Sequence, residues 1–235
     1  MKNPKIIYED NDIIVCYKPA GIATQTRRIG QQDMESFIRN YRADKNEPPY
    51  VGIVHRLDQP VEGVMVFAKN QKAAASLSRQ IKEHTTEKYY RAASRGQGVS
   101  GADKEEDNHD PAWHTLTDYI SFDKRTNTSK ITSEKDRLAK KAVLQYRILS
   151  NECNKTEFDI KLLTGRHHQI RLQLANIGYP LIGDTKYGKT ASNNSGTGSK
   201  SGRTGFGVRE QLALCSYKLV FDHPATGERM TFELP

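Results

Sequence analysis

Short apolar runs alternate with polar turns along the chain, and most runs have the length of a single β-strand. Alternating hydrophobic positions, or apolar runs of about four to eight residues between turn residues, are typical of strands. This pattern predicts ten strands, over residues 6–9, 13–17, 51–54, 63–68, 87–94, 115–122, 141–149, 156–163, 212–221 and 229–234.

Three other stretches carry apolar residues three or four positions apart, which is the spacing of one helix face. They predict helices over 32–41, over 70–84 with Asn70 as its cap, and over 168–177. Gly178 then supplies a residue suited to ending the third helix. Because strands and helices do not alternate regularly, we predict an α+β fold with a large mixed, mostly antiparallel sheet and helices packed on it.

Two polar stretches interrupt this pattern. Residues 97–110 are rich in glycine and acidic residues, and residues 190–207 are rich in serine, glycine and asparagine. Strand patterns resume after both of them, so we predict flexible loops within a single domain over 1–235.

Composition narrows the class of protein. The 235 residues carry 36 Lys+Arg against 28 Asp+Glu, a formal net charge of +8. No apolar run approaches the ~18–20 residues of a membrane span, and the first residues turn acidic before a signal peptide could form, so we expect a cytoplasmic protein. The three cysteines, Cys16, Cys153 and Cys215, lie far apart, which argues against a disulfide framework and a zinc site.

The positive charge is concentrated. Residues 161–210 hold eight lysines and arginines against two acidic residues, whereas residues 103–110 hold five acidic residues and one lysine. A basic segment is the electrostatic signature of a polyanion site. A solvated basic surface is the alternative, and charge alone does not decide between them.

The densest group of reactive side chains lies in residues 55–63. Pro60 biases Gln59 towards an extended backbone, which places Asp58 at the edge of a strand. In an extended chain Arg56 points the same way as Asp58, and an arginine favours the ionised form of a neighbouring carboxylate. Such a carboxylate is a candidate nucleophile or base. An ordinary turn with a local ion pair is the alternative.

A second group, residues 164–171, directly precedes the third predicted helix. Its free N–H groups, with Arg166 and Arg171, favour an anion such as phosphate. Neighbouring histidines, here His167 and His168, do not face one site, which argues against a metal. A solvated helix start is the alternative.

A third group is the strand over residues 87–92, where two tyrosines are adjacent. Tyr89 and Tyr90 face opposite sides of a strand, so one can be buried while the other stacks on a nucleobase. An aromatic residue in the core is the alternative.

Taken in order, these segments resemble the RluA-type pseudouridine synthase family, from about Ile6 to Leu234. The segments that carry the resemblance are Lys18-Pro19-Ala20-Gly21, His55-Arg56-Leu57-Asp58 with Gly63, Lys88-x-Tyr90-x-Ala92, Gly165-Arg166-x-His168-Gln169-Ile170-Arg171, Gly178-Tyr179-Pro180-Leu181-Ile182-Gly183-Asp184 and His223-Pro224.

The resemblance implies an RNA-binding cleft across the sheet, no cofactor or metal, and isomerisation of uridines in structured ribosomal or transfer RNA. Asp58 matches the catalytic carboxylate and Tyr90 the residue that packs against the target base. Arg166, or in its place Arg171, matches the basic partner that orients the carboxylate. The RNA contacts that we expect are Arg56, which would fill the gap left by the uridine, and His55, His168, Gln169, Arg171 and Lys186.

The chain also departs from the family pattern. It begins directly in the catalytic segment, so we expect no additional N-terminal RNA-binding domain and anchoring of the substrate by the domain itself. We also expect a monomer. Where many members carry Thr-Ser-Gly, this chain has Val61-Glu62-Gly63, which leaves the substrate class open. Two other functions stay open: a non-catalytic RNA-binding protein, and a nucleoside or glycoside hydrolase using Asp58 and Glu62 as its two carboxylates.

Overall fold

A computed structural model describes residues 3–26, 28, 30–95, 112–152, 155–188 and 210–235. The predicted loops at 97–110 and 190–207, and Cys153, lie outside these residues. The chain divides into two compact units, the first made of Met1–Tyr89 and Cys215–Pro235 and the second of Tyr90–Leu214.

The described residues form eleven strands and three helices. In chain order they are β1 (Lys5–Glu9), β2 (Ile13–Lys18), α1 (Met34–Asp44), β3 (Gly52–Ile53), β4 (Glu62–Ala68), α2 (Gln71–Lys82), β5 (Glu87–Ser94), β6 (His114–Asp123), β7 (Thr128–Thr132), β8 (Lys140–Glu152), β9 (Lys155–Leu162), α3 (Gln169–Asn176), β10 (Leu214–Asp222) and β11 (Arg229–Glu233). Among these residues, no helix is long and apolar enough to cross a membrane.

The strands of the first unit follow the order β1-β2-β4-β10, with β3 beside β4 and β11 beside β10. The pairs β1–β2, β2–β4, β3–β4 and β10–β11 are antiparallel, whereas β4 and β10 run parallel. The prediction of a mixed, mostly antiparallel sheet with few helices is confirmed.

The core of the first unit is built from alternate residues of its central strands. Ile13 and Val15 on β2 and Val64 and Val66 on β4 are at most 2% exposed, and Leu77 of α2 belongs to the same cluster. Burying side chains of this size contributes roughly 1.5–3 kcal/mol each, which outweighs the cost of ordering them.

Side chains at the helix starts set where α1 and α2 begin. Asp33 accepts a hydrogen bond from Ser36 N, and the Ser36 hydroxyl accepts one from Asp33 N, which satisfies two backbone donors at the start of α1. Asn70 accepts from Ala73 N, as predicted for the cap of α2.

One glycine is required where β4 runs beside β10. Gly63 has a φ of +141°, and a Cβ there would lie 2.3 Å from the carbonyl oxygen of Ser216. A residue with a side chain would both clash and be strained, so the parallel pairing depends on glycine.

The second unit contains four consecutive antiparallel strands in the order β9-β8-β6-β7, with α3 packed against β6 and β7. Strand β5 begins in the first unit and ends in the second. After α3, Gly178 has a φ of +89° and its N–H donates to Ala175 O, which confirms it as the residue that ends the helix.

Strand β7 is the element that the sequence pattern did not predict. Its residues, Thr128–Thr132, include one large apolar side chain, Ile131, and pair with β6 across a turn at Asn127, whose φ is +52°. The strand lies at the end of the strand order of this unit, where few apolar residues are needed.

Candidate functional site

The predicted site residues fall into two groups, one in each unit. The first unit holds His55, Arg56 and Asp58, and the second holds Tyr90, Arg166, His168, Gln169, Arg171 and Lys186.

Asp58 lies in the irregular segment between β3 and β4, and its neighbours are fixed by hydrogen bonds. Leu57 is 6% exposed; its N–H donates to Thr24 Oγ1 over 3.1 Å, and its carbonyl accepts from the same hydroxyl over 3.0 Å. The Asp58 carbonyl accepts from Val61 N at 3.0 Å, which closes a tight turn. The backbone is therefore held in place while the Asp58 carboxylate stays half-buried and the Arg56 side chain is exposed.

A buried lysine, Lys18, also stabilises the segment around Asp58 through hydrogen bonds to backbone carbonyls. Lys18 is 0% exposed, and its Nζ donates to the carbonyls of Ile22, Pro19 and Gln59 at 2.6, 3.1 and 3.2 Å. Gly21 N also donates to Gln59 O at 2.8 Å. These bonds tie the segment after β2 to the residue that follows Asp58.

Lys18 also carries an unusual charge environment. Burial lowers the pKa of Lys18 to about 8, while the negative charges of Asp58 and then Glu62 oppose that shift. In the sequence, Lys18 is identified only as the first residue of the Lys18-Pro19-Ala20-Gly21 motif. A lysine at the end of an apolar strand and directly before a proline was the signal that could have identified it.

His55 is a neutral hydrogen-bond acceptor rather than a cation. Its Nε2 accepts from Val66 N at 3.1 Å, which places the ring proton on Nδ1. Burial, followed by the positive charge of Lys88, lowers the pKa of His55 to about 3. At neutral pH His55 therefore brings no positive charge to RNA, and its contact with RNA stays a prediction.

In the second unit, Arg171 is occupied by a buried ion pair. Its Nε and one terminal nitrogen each donate to Asp184 at 2.7 Å, and the two side chains are 4% and 0% exposed. Burial is the largest single effect and raises the pKa of Asp184, but the hydrogen bonds and charge of Arg171, together with the backbone N–H groups of Lys186 and Tyr187, outweigh it, so the net shift of the pKa is downward. This geometry favours a role for Arg171 in anchoring the segment rather than the predicted contact with phosphate.

His168 is likewise neutral and buried. The Tyr187 hydroxyl accepts from Ser129 N at 2.9 Å and forms a hydrogen bond of 2.9 Å with His168 Nδ1. Burial, and then the charge of Arg171, lowers the pKa of His168 to about 3. The φ of His168 is +54°, and its side chain does not cap α3. The geometry therefore supports a structural role.

Gln169 holds the turn that precedes α3. Its Oε1 accepts from Thr164 Oγ1 at 2.8 Å and from Arg166 N at 3.0 Å, and the side chain is 3% exposed. Arg166 is half-buried and its Nε donates to Lys141 O at 2.9 Å. Gln169 is thus placed to shape the turn that carries Arg166, not to reach RNA itself.

The other two predicted residues differ in exposure. Tyr90 is 6% exposed, so it presents little of its ring to solvent. Lys186 is exposed, and its ammonium donates to Asn127 O. Lys186 therefore matches the predicted phosphate contact better than Arg171 does.

The described residues contain one group of three side chains that could approach a metal ion, Asp10, Asp12 and His223, with ligand atoms within 4.8 Å of one another. His223 Nδ1 accepts from Thr226 N at 3.1 Å, so its Nε2 carries the proton that is donated to Asp10 over 2.9 Å. Asp10 also accepts from the N–H groups of Asp12 and Ile13. These bonds explain the cluster as a contact between two turns, and we assign no metal to it.

The chain is similar to known proteins both in sequence and in structure. The family model described as RNA pseudouridylate synthase matches residues 12–176. The chain is 32% and 33% identical to proteins named ribosomal large subunit pseudouridine synthase D from Vibrio parahaemolyticus and Pseudomonas aeruginosa, in each case over 98% of this chain and over 66% and 68% of those proteins. The chain thus spans about two thirds of the length of these relatives.

A solved structure titled human RNA pseudouridylate synthase domain containing 4 is similar in fold, with a TM-score of 0.70 at 21% identity. The match covers 98% of this chain and 87% of that one. At this identity the likeness supports the fold.

Proposed function

Because this chain belongs to the RNA pseudouridylate synthase family, we propose that it isomerises uridines in RNA to pseudouridine with Asp58 as the catalytic carboxylate. The observation that carries this proposal is the fixed backbone around Asp58. Thr24 holds the residue before it and Lys18 the residue after it, so the half-buried carboxylate is presented from a rigid turn. Catalysis by a positioned group depends on such pre-organisation.

The reaction is an internal exchange at one nucleotide. The bond between N1 of the base and C1′ of the ribose breaks, the base turns, and C5 bonds to C1′. C5 loses a proton and N1 gains one, so the composition of the RNA does not change. One carboxylate acting as nucleophile or base is sufficient for this exchange, and the proposal needs no cofactor.

The target base must first leave the RNA stack, which costs a few kcal/mol. Exposed Arg56 is suited to entering the gap, because a guanidinium stacks on bases and pairs with phosphate. Tyr90 and Arg166 stay our candidates for packing against the base and for orienting the carboxylate. Lys186 is the candidate phosphate contact, while His55, His168, Gln169 and Arg171 are proposed to support these residues.

We propose large-subunit ribosomal RNA as the substrate. Two relatives that match 98% of this chain are named ribosomal large subunit pseudouridine synthase D, and uridines of the large subunit are those of its RNA. Mapping pseudouridines in RNA from cells that lack the protein tests this substrate. Sites lost from transfer RNA instead would contradict it.

The test of the chemistry is Asp58→Asn in the full chain, because asparagine keeps the shape and removes the charge. We expect pseudouridine formation, measured by carbodiimide labelling, to fall by several decades. RNA affinity should stay level or rise by about 1 kcal/mol or less, because a negative charge leaves a basic protein. Asp44→Asn, at an exposed position on α1, is the matched control.

Two outcomes would overturn the proposal. Pseudouridine formation by Asp58→Asn at the rate of the unaltered protein would remove Asp58 from the chemistry. Release of free uracil by the unaltered protein would instead indicate a hydrolase that uses Asp58 with Glu62.

A further inference from the structure

The end of the β6–β7 hairpin exposes a phenylalanine among polar residues. Phe122 is 40% exposed and lies opposite Ser129 in the antiparallel β6–β7 register. The turn between them, residues 123–128, contains none of the large apolar residue types. A single exposed apolar side chain is common on protein surfaces. The contacts and charges around Phe122 therefore decide whether it has a role in binding.

A fixed histidine contacts the Phe122 ring. The ring centroids of Phe122 and His167 are 4.3 Å apart, with the ring planes tilted by 49°. Ser129 Oγ lies 2.9 Å from His167 Nδ1 and donates to the His167 carbonyl at 2.9 Å. The ring of His168 packs against that of His167 at 3.7 Å between centroids. Phe122 is thus held against an ordered aromatic surface, which reduces the entropy that it would lose on binding a ligand.

The turn after Phe122 carries positive charge. Lys124 and Arg125 are exposed within it. A third cation comes from a distant part of the chain, because the Lys186 ammonium donates to the carbonyl of Asn127 in the same turn. An exposed aromatic ring and three cations therefore lie at one end of the hairpin.

The acidic residue of the turn does not remove this charge. Asp123 accepts hydrogen bonds from Arg125 N at 2.8 Å and from the Thr126 hydroxyl at 2.9 Å, so its carboxylate is used to form the turn. Three cations stand against this one carboxylate. The charge at this end of the hairpin is therefore complementary to the phosphates of RNA.

An exposed aromatic ring beside cations is suited to single-stranded nucleic acid. A base stacks on the ring whatever its identity, while the cations bind the flanking phosphates. In an RNA duplex the faces of the bases are already stacked on one another, so only an unpaired base can take this position. The hairpin end combines these features.

We propose that Phe122 is an RNA contact that stacks on an unpaired base, with His167 as its support. The cations that we assign to the flanking phosphates are Lys124, Arg125 and Lys186. RNA as the partner rests on the proposed function. Phe122 belongs to the second unit and Asp58 to the first, so binding at this contact is tested separately from the chemistry.

The test is the affinity of the full chain for a fluorescein-labelled oligocytidylate of about 12 nucleotides, which is single-stranded at neutral pH and holds no uridine to isomerise. Phe122→Ala should raise its Kd by about 5- to 150-fold, which corresponds to the loss of one base–aromatic stack. Phe122→Leu keeps apolar surface without the ring and should weaken binding in the same way. Phe122→Trp keeps a ring and should retain most of the affinity.

Three controls separate stacking from other effects. Leu149→Ala removes a side chain of matched exposure, 39%, in the same unit and should leave the Kd unchanged. An RNA duplex of the same length should lose less affinity than the single strand in Phe122→Ala. Phe122→Ala should also keep the slope of log K against log salt, whereas Arg125→Ala should reduce that slope by about 0.7.

An unchanged Kd in Phe122→Ala would overturn the inference, and so would an equal loss of affinity for the duplex or in Leu149→Ala. If Phe122→Ala unfolds at a much lower urea concentration, the leucine and tryptophan variants still decide, because equal Kd values for these two contradict stacking. Absence of pseudouridine formation by the unaltered protein would instead refute the proposed function. The binding measurements need no turnover and would still show whether Phe122 contacts RNA.

Discussion

Lys18 in the first unit and Arg171 in the second are both buried cations, but their hydrogen bonds go to different kinds of acceptor. Lys18 donates to three neutral carbonyls, whereas Arg171 donates through two nitrogens to the Asp184 carboxylate. The negative charge that acts on the Lys18 ammonium comes from Asp58 and then Glu62. The charges of Arg171 and Asp184 cancel at short range.

The turn with Asp58 therefore has an electrostatic role, whereas the segment around α3 has a structural role. The turn with Asp58 keeps charge close to the proposed reaction. The segment around α3, although basic in sequence, buries Arg171 in an ion pair and keeps His168 neutral. A count of charges along a sequence therefore overstates the charge that a segment presents to RNA.

The largest effect on stability should come from breaking the buried pair. Asp184→Asn leaves Arg171 without its anionic partner, which should lower the free energy of unfolding by about 3–5 kcal/mol. Urea unfolding measures this loss. Glu233→Gln, which removes the partner of Lys218 in a pair whose side chains are 31% and 49% exposed, should cost at most about 1 kcal/mol.

The structural role of Arg171 is tested further by the double variant Arg171→Met with Asp184→Asn. Asparagine keeps an acceptor for the N–H groups of Lys186 and Tyr187, and methionine removes the cation that Asp184→Asn alone leaves unpaired, so part of the lost stability should return. If the double variant is as unstable as Asp184→Asn, the charge pair is not the cause of the loss.

A smaller effect on stability, with a larger one on catalysis, is expected at Lys18. Lys18→Met leaves three buried carbonyls without a donor and should lower the free energy of unfolding by about 1–3 kcal/mol. Because the Asp58 turn loses the hydrogen bond from Lys18 to the Gln59 carbonyl, kcat should fall while the Kd for RNA changes little. If Lys18→Met lowers the free energy of unfolding but leaves kcat unchanged, Lys18 has only a structural role, like Arg171.

Acid should destabilise both regions. Burial lowers the pKa of His55 and of His168 to about 3, against about 6.5 in an unfolded chain. Between these values the unfolded chain binds protons that the folded protein does not, so stability decreases as the pH falls from about 6.5 towards 3. Urea midpoints across this window measure the slope, and His55→Gln or His168→Gln should flatten it. An unchanged slope in both variants would show that other groups cause it.

The smallest effect should appear in RNA binding. Lys186→Ala removes an exposed cation and should reduce the slope of log K against log salt by about 0.7–0.9, the value for one phosphate contact. Arg171→Met should leave the slope unchanged under conditions where it is folded, because its charge is already cancelled. A flatter slope for Arg171→Met alone would restore Arg171 as a phosphate contact.

The sequence predicted much of the fold because strand alternation, helix caps and helix ends each depend on only a few neighbouring residues. The run at Glu87–Ser94 has the predicted bounds, Asn70 caps α2, and Gly178 ends α3. Strand β7 was missed because its largely polar residues become a strand through pairing with β6. That pairing depends on residues distant in the chain, which a local pattern does not contain.

The candidate site divides in the same way. The sequence alone identified the motif around Asp58 and the family to which the chain belongs, since these depend on residue type and order. Only the tertiary structure decided that Lys18 is fully buried and that Arg171 and His168 carry no free charge. Burial and long-range pairing set the cost of an ionised group, and neither is a property of a residue or its immediate neighbours.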